Sequence, residues 1–302
     1  MKRDIGKKSA TEIAALLGLE FAGPDVAVSG VSPFPPTDKN VLCFSGTAGG
    51  GADALPAGCI VIAQASARDA LLRAGATVIS STNPKYDFCR LFALLAPPAN
   101  WGVHPAAHIG PHVNLSDRVA IGPGCVLEGD IHIGGGTRIG ANVVLKNSVV
   151  IGENVSMRNG SVIGEDAFSF GFSDPNHASA KATRFPCFGG VVISDYVEIG
   201  NNCVISRGTF GDTILGQRAR VNDMAHIGNE VQIGERSTIM AHTDISARVR
   251  IGTGVQVCQS AAIRQGLKIG DSAIVGMGAV VTKDVAAGTV VMGVPARVAR
   301  ER

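Results

Sequence analysis

An aliphatic residue recurs every six positions through most of the second two-thirds of this chain, and so regular a repeat leaves few folds open. From Ile109 the steps are Leu115, Ile121, Leu127, Ile133, Ile139, Leu145, Ile151, Met157 and Ile163, with no polar residue among them. The phase returns at Ile193, Ile199 and Ile205, slips by four residues, and resumes from Leu215 through Val221, Ile227, Ile233, Ile239, Ile245, Ile251, Val257, Ile263, Ile269, Val275 and Val281. Six residues hold one short strand and one turn. Three such units close a triangular coil, and each coil buries its inner face only against the coils stacked on it. Gly follows the aliphatic residue at Gly122, Gly134, Gly140, Gly152, Gly200 and Gly234, where it is expected to free the backbone for the corner. Two positions before the aliphatic residue sits a small or β-branched one, as at Val119, Cys125, Val143 and Val155, which predicts a second, tighter inward site.

The breaks in the repeat are as informative as the repeat. Residues 164 to 192, rich in Phe, are expected to leave the helix as a loop, and four extra residues within 206 to 215 as a smaller protrusion. Departures from a stiff scaffold are natural binding elements.

Before Pro97-Pro98 the period vanishes. Residues 1 to 98 read as a small α/β domain, with helices over Ala10–Leu19, Ala67–Ala74 and Asp87–Leu95 and strands over Val41–Phe44, Gly58–Ala63 and Ala76–Ser80. Residues 99 to 106, with Pro and small side chains, read as a linker, and residues 107 to 302 as the repeat domain. Only 17% of the 302 residues are charged and the net charge is +2, so nucleic acid is not an expected partner. The basic N-terminus is followed by an apolar run too short and too interrupted for a signal peptide or a membrane span, which predicts a cytoplasmic protein. The seven cysteines are scattered without a C-x-x-C pair and read as buried small hydrophobes rather than ligands.

The period-six pattern resembles the left-handed parallel β-helix of the hexapeptide-repeat acyltransferase superfamily. Three stretches are similar to one family within it, the UDP-3-O-acylglucosamine N-acyltransferases of lipid A synthesis: STNPKYDFCRLFALLAPP, SVIGEDAFSFGF with RFPCFGGVVISDYVEIGNN, and ISRGTFGDTILGQRARVNDMAHIGNEVQIG. The resemblance implies a homotrimer and a nucleotide-linked amino sugar as acceptor, with an uracil-reading N-terminal domain in which Asn83, Tyr86 and Phe88 fall at the uridine contacts. It brings in Phe168, Phe170 and Arg207 as further substrate-binding candidates. The alternative for the three N-terminal residues is that their rings fill the small domain's core.

Two departures from the family stand out. Where its active-site coil carries a general-base His, this chain has Asn229, and where a second His is usual it reads Gln265-Gly266-Leu267. The C-terminal AIVGMGAVVTKDVAAGTVVMGVPARVARER resembles instead the last coil of acetyl-CoA-dependent hexapeptide acetyltransferases, which implies acetyl-CoA as donor with Gly276, Gly278, Lys283, Arg264 and Arg297 as its contacts. The alternative donor is another acyl thioester, a hydroxyacyl chain on acyl carrier protein.

Acyl transfer to an amine needs a proton acceptor and donors for the oxyanion, but no metal. Because His titrates near neutrality, His226 is the first candidate for the base and His242 the second, with Asp223, Glu230 and Asp244 near enough in sequence to orient an imidazole. Asn229 belongs to the same catalytic coil. Two other readings remain open at this point: a non-catalytic β-helix binding protein, and a carbonic-anhydrase-like β-helix, which requires three clustered His.

Overall fold

The computed structural model describes residues 3–46, 55–96, 100–174 and 180–301. The chain divides into two compact units, Met1–Pro98 and Ala99–Arg302. The expected junction at 97 to 99 and His177 of the long loop lie outside the described residues.

In the first unit a six-stranded sheet runs in the order Arg3–Ser9, Ala27–Val31, Val41–Phe44, Ile60–Ala63, Thr77–Ser80, Phe21–Ala22. The four middle strands are parallel and the two outer ones antiparallel to their neighbours. Three of these strands, Arg3–Ser9, Phe21–Ala22 and Ala27–Val31, have no counterpart in the sequence reading. They are edge or near-edge strands of mixed polarity, without the apolar run that marks a strand buried on both faces. Ile60 and Ile62 pack into one cluster with Ile13, Leu17 and Leu91, while Val61 and Ala63 pack into another with Cys43, Leu71 and Val78. Burial on both faces is why IVIA carries no polar alternation. Helix Ala10–Leu17 starts on a reciprocal cap between Ser9 and Glu12 and stops at Gly18, whose φ of 64° closes it two residues before the expected end.

The second unit is a parallel β-helix with three faces. The first face is an 11-stranded sheet that includes Glu198–Ile199, Arg220–Val221, Thr238–Ile239, Gln256–Val257 and Ile274–Val275. The second includes Val204–Ser206, His226–Ile227, Asp244–Ile245 and Ala262–Ile263, and the third Val191–Ile193, Thr213–Leu215, Gln232–Ile233 and Arg250–Ile251. These two faces form one 15-stranded sheet because Val126–Ile133 and Val144–Ile151 run across their shared corner without a break. Each in-phase aliphatic side chain from Ile121 onward points inward and is buried, as are Val119, Cys125, Val143 and Val155 at the tighter site.

Two expectations are corrected in detail, and a third feature was not anticipated. The Gly after each aliphatic residue is not there for conformational freedom. At Gly122 a Cβ would come within 2.7 Å of Gly140 C, and at Gly134 within 2.6 Å of Gly152 C, so the Gly permits the coils to stack. The left-handed corner positions lie two residues further on and are filled largely by other residues, such as Asn142 (φ 56°), Asn154 (φ 54°), Met224 (φ 57°), Glu230 (φ 60°) and His242 (φ 59°). Second, Gly102–Val103 lies inside the expected linker but pairs with Ala120–Ile121 as the outermost strand of the first face. Val103 is one step of six before Ile109, so the phase already contained it. Third, at the other end the repeat closes with Arg297–Glu301 antiparallel to Thr289–Met292, a strand that covers the sheet edge.

Candidate active site

Both breaks in the repeat emerge at the same corner of the prism, between the second and third faces. The long insertion connects Val162–Glu165 to Val191–Ile193, the short one connects Val204–Ser206 to Thr213–Leu215 in the next coil, and Asn229-Glu230 form that corner one coil further. The long insertion carries a hairpin of Phe170–Phe172 against Ala182–Arg184. Arg184 lies over the rings of Phe168 and Phe170, at 5.8 and 5.1 Å.

The insertions are fastened to each other and to the coil below. Phe188 N–H donates to Thr209 O at 2.8 Å, and the Phe210 ring stacks near Phe188 and edge-on to Phe185. Arg207 donates from Nη2 to Cys187 O, while its Nε lies 3.6 Å from Asp166 Oδ1, beyond hydrogen-bond reach. Its guanidinium is therefore largely spent on holding the arm. Glu230 accepts the Phe210 and Gly211 N–H groups on one oxygen, at 2.8 and 3.2 Å. Asn229 Nδ2 donates to Thr209 Oγ1 at 3.0 Å. An amide cannot serve as a base at neutral pH, and here it is part of the fastening. Phe168, Phe188 and Phe210 remain 87%, 70% and 72% exposed.

His226 projects from the second face. Its Nδ1 lies 2.7 Å from Asp244 Oδ1, the carboxylate of the residue paired with it on the adjacent rung. Nε2 has no protein partner among the described residues. The orienting carboxylate is Asp244 and not Asp223. Asp223 Oδ1 accepts from Asn201 N at 2.7 Å and from Asn201 Nδ2 at 3.1 Å, at the foot of a side-chain ladder that continues from Asn201 to Asn159. That corner position recurs with the same job: Asp195 and Asp271 each cap a backbone N–H of a neighbouring coil. His242 sits in a left-handed corner slot between the first and second faces, exposed and with no acidic partner among the described residues.

The expected donor contacts separate into two places. Lys283 and Arg297 line one small groove of about 150 Å³ with Asp284 and Val298. Arg264 is not among its lining residues, and neither are Gly276 and Gly278, which flank Met277 at a corner one rung away. In the first unit Asn83 caps the helix Pro84–Leu95 by accepting the Tyr86 N–H at 3.2 Å. Tyr86 is exposed, whereas Phe88 packs between Phe44 and Phe92 at ring separations of 5.0 and 4.9 Å. Phe88 is half-buried and packs against the core of the first unit. Among the described residues no group of three or more His, Cys, Asp or Glu is placed to hold a metal ion, and no helix is long and apolar enough to cross a membrane.

A family model of the bacterial transferase hexapeptide (six repeats) matches residues 130–165. Over 113 residues the chain is 46% identical to a UDP-3-O-acylglucosamine N-acyltransferase of Rhizobium meliloti, covering 37% of this chain and 32% of that protein. Over 174 residues it is 35% identical to the enzyme of the same name from Coxiella burnetii, covering 52% of this chain and 51% of that one. The chain is a hexapeptide-repeat protein similar to the UDP-3-O-acylglucosamine N-acyltransferases. It spans about a third to a half of the length of the curated relatives it matches. Among solved structures it resembles the UDP-N-acetylglucosamine O-acyltransferase of Moraxella catarrhalis, with a TM-score of 0.51 and 26% identity over 66% of this chain and 74% of that one. The shared fold is the left-handed β-helix. These relatives are named as acyltransferases, and none of the names specifies acetyl-CoA, so the comparisons lend no support to the donor expected from the C-terminal end.

Proposed function

We propose that this chain is an N-acyltransferase that moves an acyl group from a thioester to the amine of a UDP-linked, 3-O-acylated glucosamine. The observation that carries the mechanism is the pair His226–Asp244 at 2.7 Å. A carboxylate on Nδ1 holds the ring in the tautomer whose Nε2 is free to accept a proton, and it stabilises the imidazolium that forms. The sugar amine attacks the thioester carbonyl, the new C–N bond forms, and His226 Nε2 takes the amine proton. Collapse breaks the C–S bond, and the same proton passes to the leaving thiolate. The exposed Phe168, Phe188 and Phe210, held over the corner one coil away, offer the apolar surface that an acyl chain requires.

The similarity to enzymes named for this acceptor supports the sugar class. It also favours a hydroxyacyl chain on a carrier protein over acetyl-CoA as the donor. In the N-terminal unit Tyr86 is the exposed ring for uracil, with Asn83 beside it. The working form in this reading is a cytoplasmic homotrimer.

The test is thiol release with UDP-3-O-acylglucosamine and, in separate arms, hydroxyacyl carrier protein and acetyl-CoA. Release with the carrier protein, lost in His226→Ala, is the expected result. Release with acetyl-CoA alone would restore the donor read from the C-terminal coil. No release in either arm would leave a β-helix binding protein in which Asn229 and its latch are all that remain of the family's active coil.

A further inference from the structure

Beside the latched corner, on the third face, runs a groove of about 480 Å³ whose lining includes Gly211, Glu230, Gln232, Arg248, Arg250 and Gly266. This volume is in the range of pockets that hold small ligands. Two arginines reach it from a single coil. Arg250 donates from Nη1 to Gln232 Oε1 at 2.7 Å, which fixes the plane of its guanidinium. Neither Arg248 nor Arg250 is paired with a carboxylate among the described residues. The groove does hold carboxylates, Asp212 and Glu230, but each has an oxygen engaged by backbone N–H: Asp212 Oδ1 by Gly190 at 2.7 Å, and Glu230 Oε1 by Phe210 and Gly211. Gly266, in the corner slot below Arg248, has no side chain to fill the space, and a Cβ there would meet nothing within 4 Å.

Two guanidinium groups that no carboxylate neutralises among the described residues, one held in plane and both lining an open groove, are the arrangement that recognises phosphate. The planar fork matches two phosphate oxygens at once, which an ammonium cannot do. We propose that this groove binds a phosphate group of one of the two reactants, through Arg248 and Arg250, and so docks that reactant beside the Phe-bearing insertions. The proposal rests on the acyl-transfer reading. Its phosphate has two sources there: the diphosphate of a nucleotide sugar, or the phosphate that joins a pantetheine arm to its carrier.

Isothermal titration calorimetry on the full chain at low ionic strength separates them, with UDP, coenzyme A and inorganic pyrophosphate as probes. The expected result is binding of UDP or coenzyme A, weakened at least tenfold in Arg248→Gln/Arg250→Gln with an unchanged melting temperature. Arg248→Lys, which keeps the charge and loses the fork, is expected to fall between. Loss confined to UDP assigns the groove to the acceptor, and loss confined to coenzyme A assigns it to the donor. A wild type that releases no thiol in either arm of the acyl-transfer assay, yet binds a probe in an arginine-dependent way, would sink the catalytic reading and leave the groove standing. No probe binding to the wild type, or equal binding to the double variant, overturns the proposal; Gln232→Leu, which frees Arg250, provides a second variant if the double one is unstable.

Discussion

His226 and Asp244 are eighteen residues apart in the chain and directly paired across adjacent rungs, with Nδ1 and Oδ1 2.7 Å apart. One circuit of the prism is what makes them neighbours. Asp244→Asn keeps the shape and removes the charge that orients the ring. With the acyl-transfer assay, His226→Ala is expected to lower kcat by at least ~100-fold, the usual reach of a positioned base, and Asp244→Asn by a smaller factor with KM little changed. Asp223→Asn, at the foot of the Asn201 ladder, is expected to leave kcat within about twofold. A loss in Asp223→Asn as large as in Asp244→Asn would overturn the assignment of the orienting carboxylate.

The period-six repeat and its two interruptions were readable because a solenoid buries the same side-chain position in every coil, so the pattern survives any change in the loops. The partner of His226 was not readable to the same degree. Asp223, Glu230 and Asp244 are all near it in sequence, and only rung register separates them: Asp244 is in the same slot one circuit on, whereas Asp223 falls in a corner slot whose carboxylates cap backbone amides. The step of eighteen was available in the phase and would have chosen Asp244. Phe88 illustrates the opposite limit, since a ring that stacks on a base and a ring that covers a sheet look alike in a helical stretch. The groove at Arg248 and Arg250 was missed because two exposed arginines on a β-rich chain ordinarily signal only a solvated face.

The coil-stacking role of glycine predicts a stability effect. Gly122→Ala would place a Cβ 2.7 Å from the Gly140 carbonyl carbon, which is backbone and cannot swing away. The expected cost is about 1–3 kcal/mol, as for other overpacked cores, read as a lower urea midpoint for the β-helix. Gly211→Ala is the control, because a Cβ there meets nothing within 4 Å. Equal midpoints for the two variants would return the glycines to the role of simple turn formers.

Glu230 ties the short insertion to the coil below it. Glu230→Gln removes a charged acceptor from two backbone donors, Phe210 and Gly211, each worth roughly 1–2 kcal/mol. Hydrogen exchange at those two amides is expected to quicken at least tenfold, while amides of Ile227 and Ile245 in the core coils hold their protection. Unchanged exchange at Phe210 would mean that the aromatic contacts with Phe185 and Phe188 hold the insertion without the latch.

The first unit carries its own pH signature. Burial in the sheet pushes the Cys43 thiol from an ordinary value near 9 up to about 12. The folded-state value is the raised one, so the stability that comes from keeping this thiol neutral is complete below pH 9 and is lost as pH rises towards 12. Stability of the wild type measured by urea unfolding is therefore expected to fall more steeply over that window than stability of Cys43→Ala, whatever the absolute cost of the cavity. The same burial predicts selective alkylation at pH 8: Cys89, which is exposed, reacts with iodoacetamide in the folded protein, and Cys43 does so only after unfolding. Parallel pH slopes for the two proteins, or labelling of Cys43 in the native state, would show that this sheet opens to water far more readily than its packing between two apolar clusters implies.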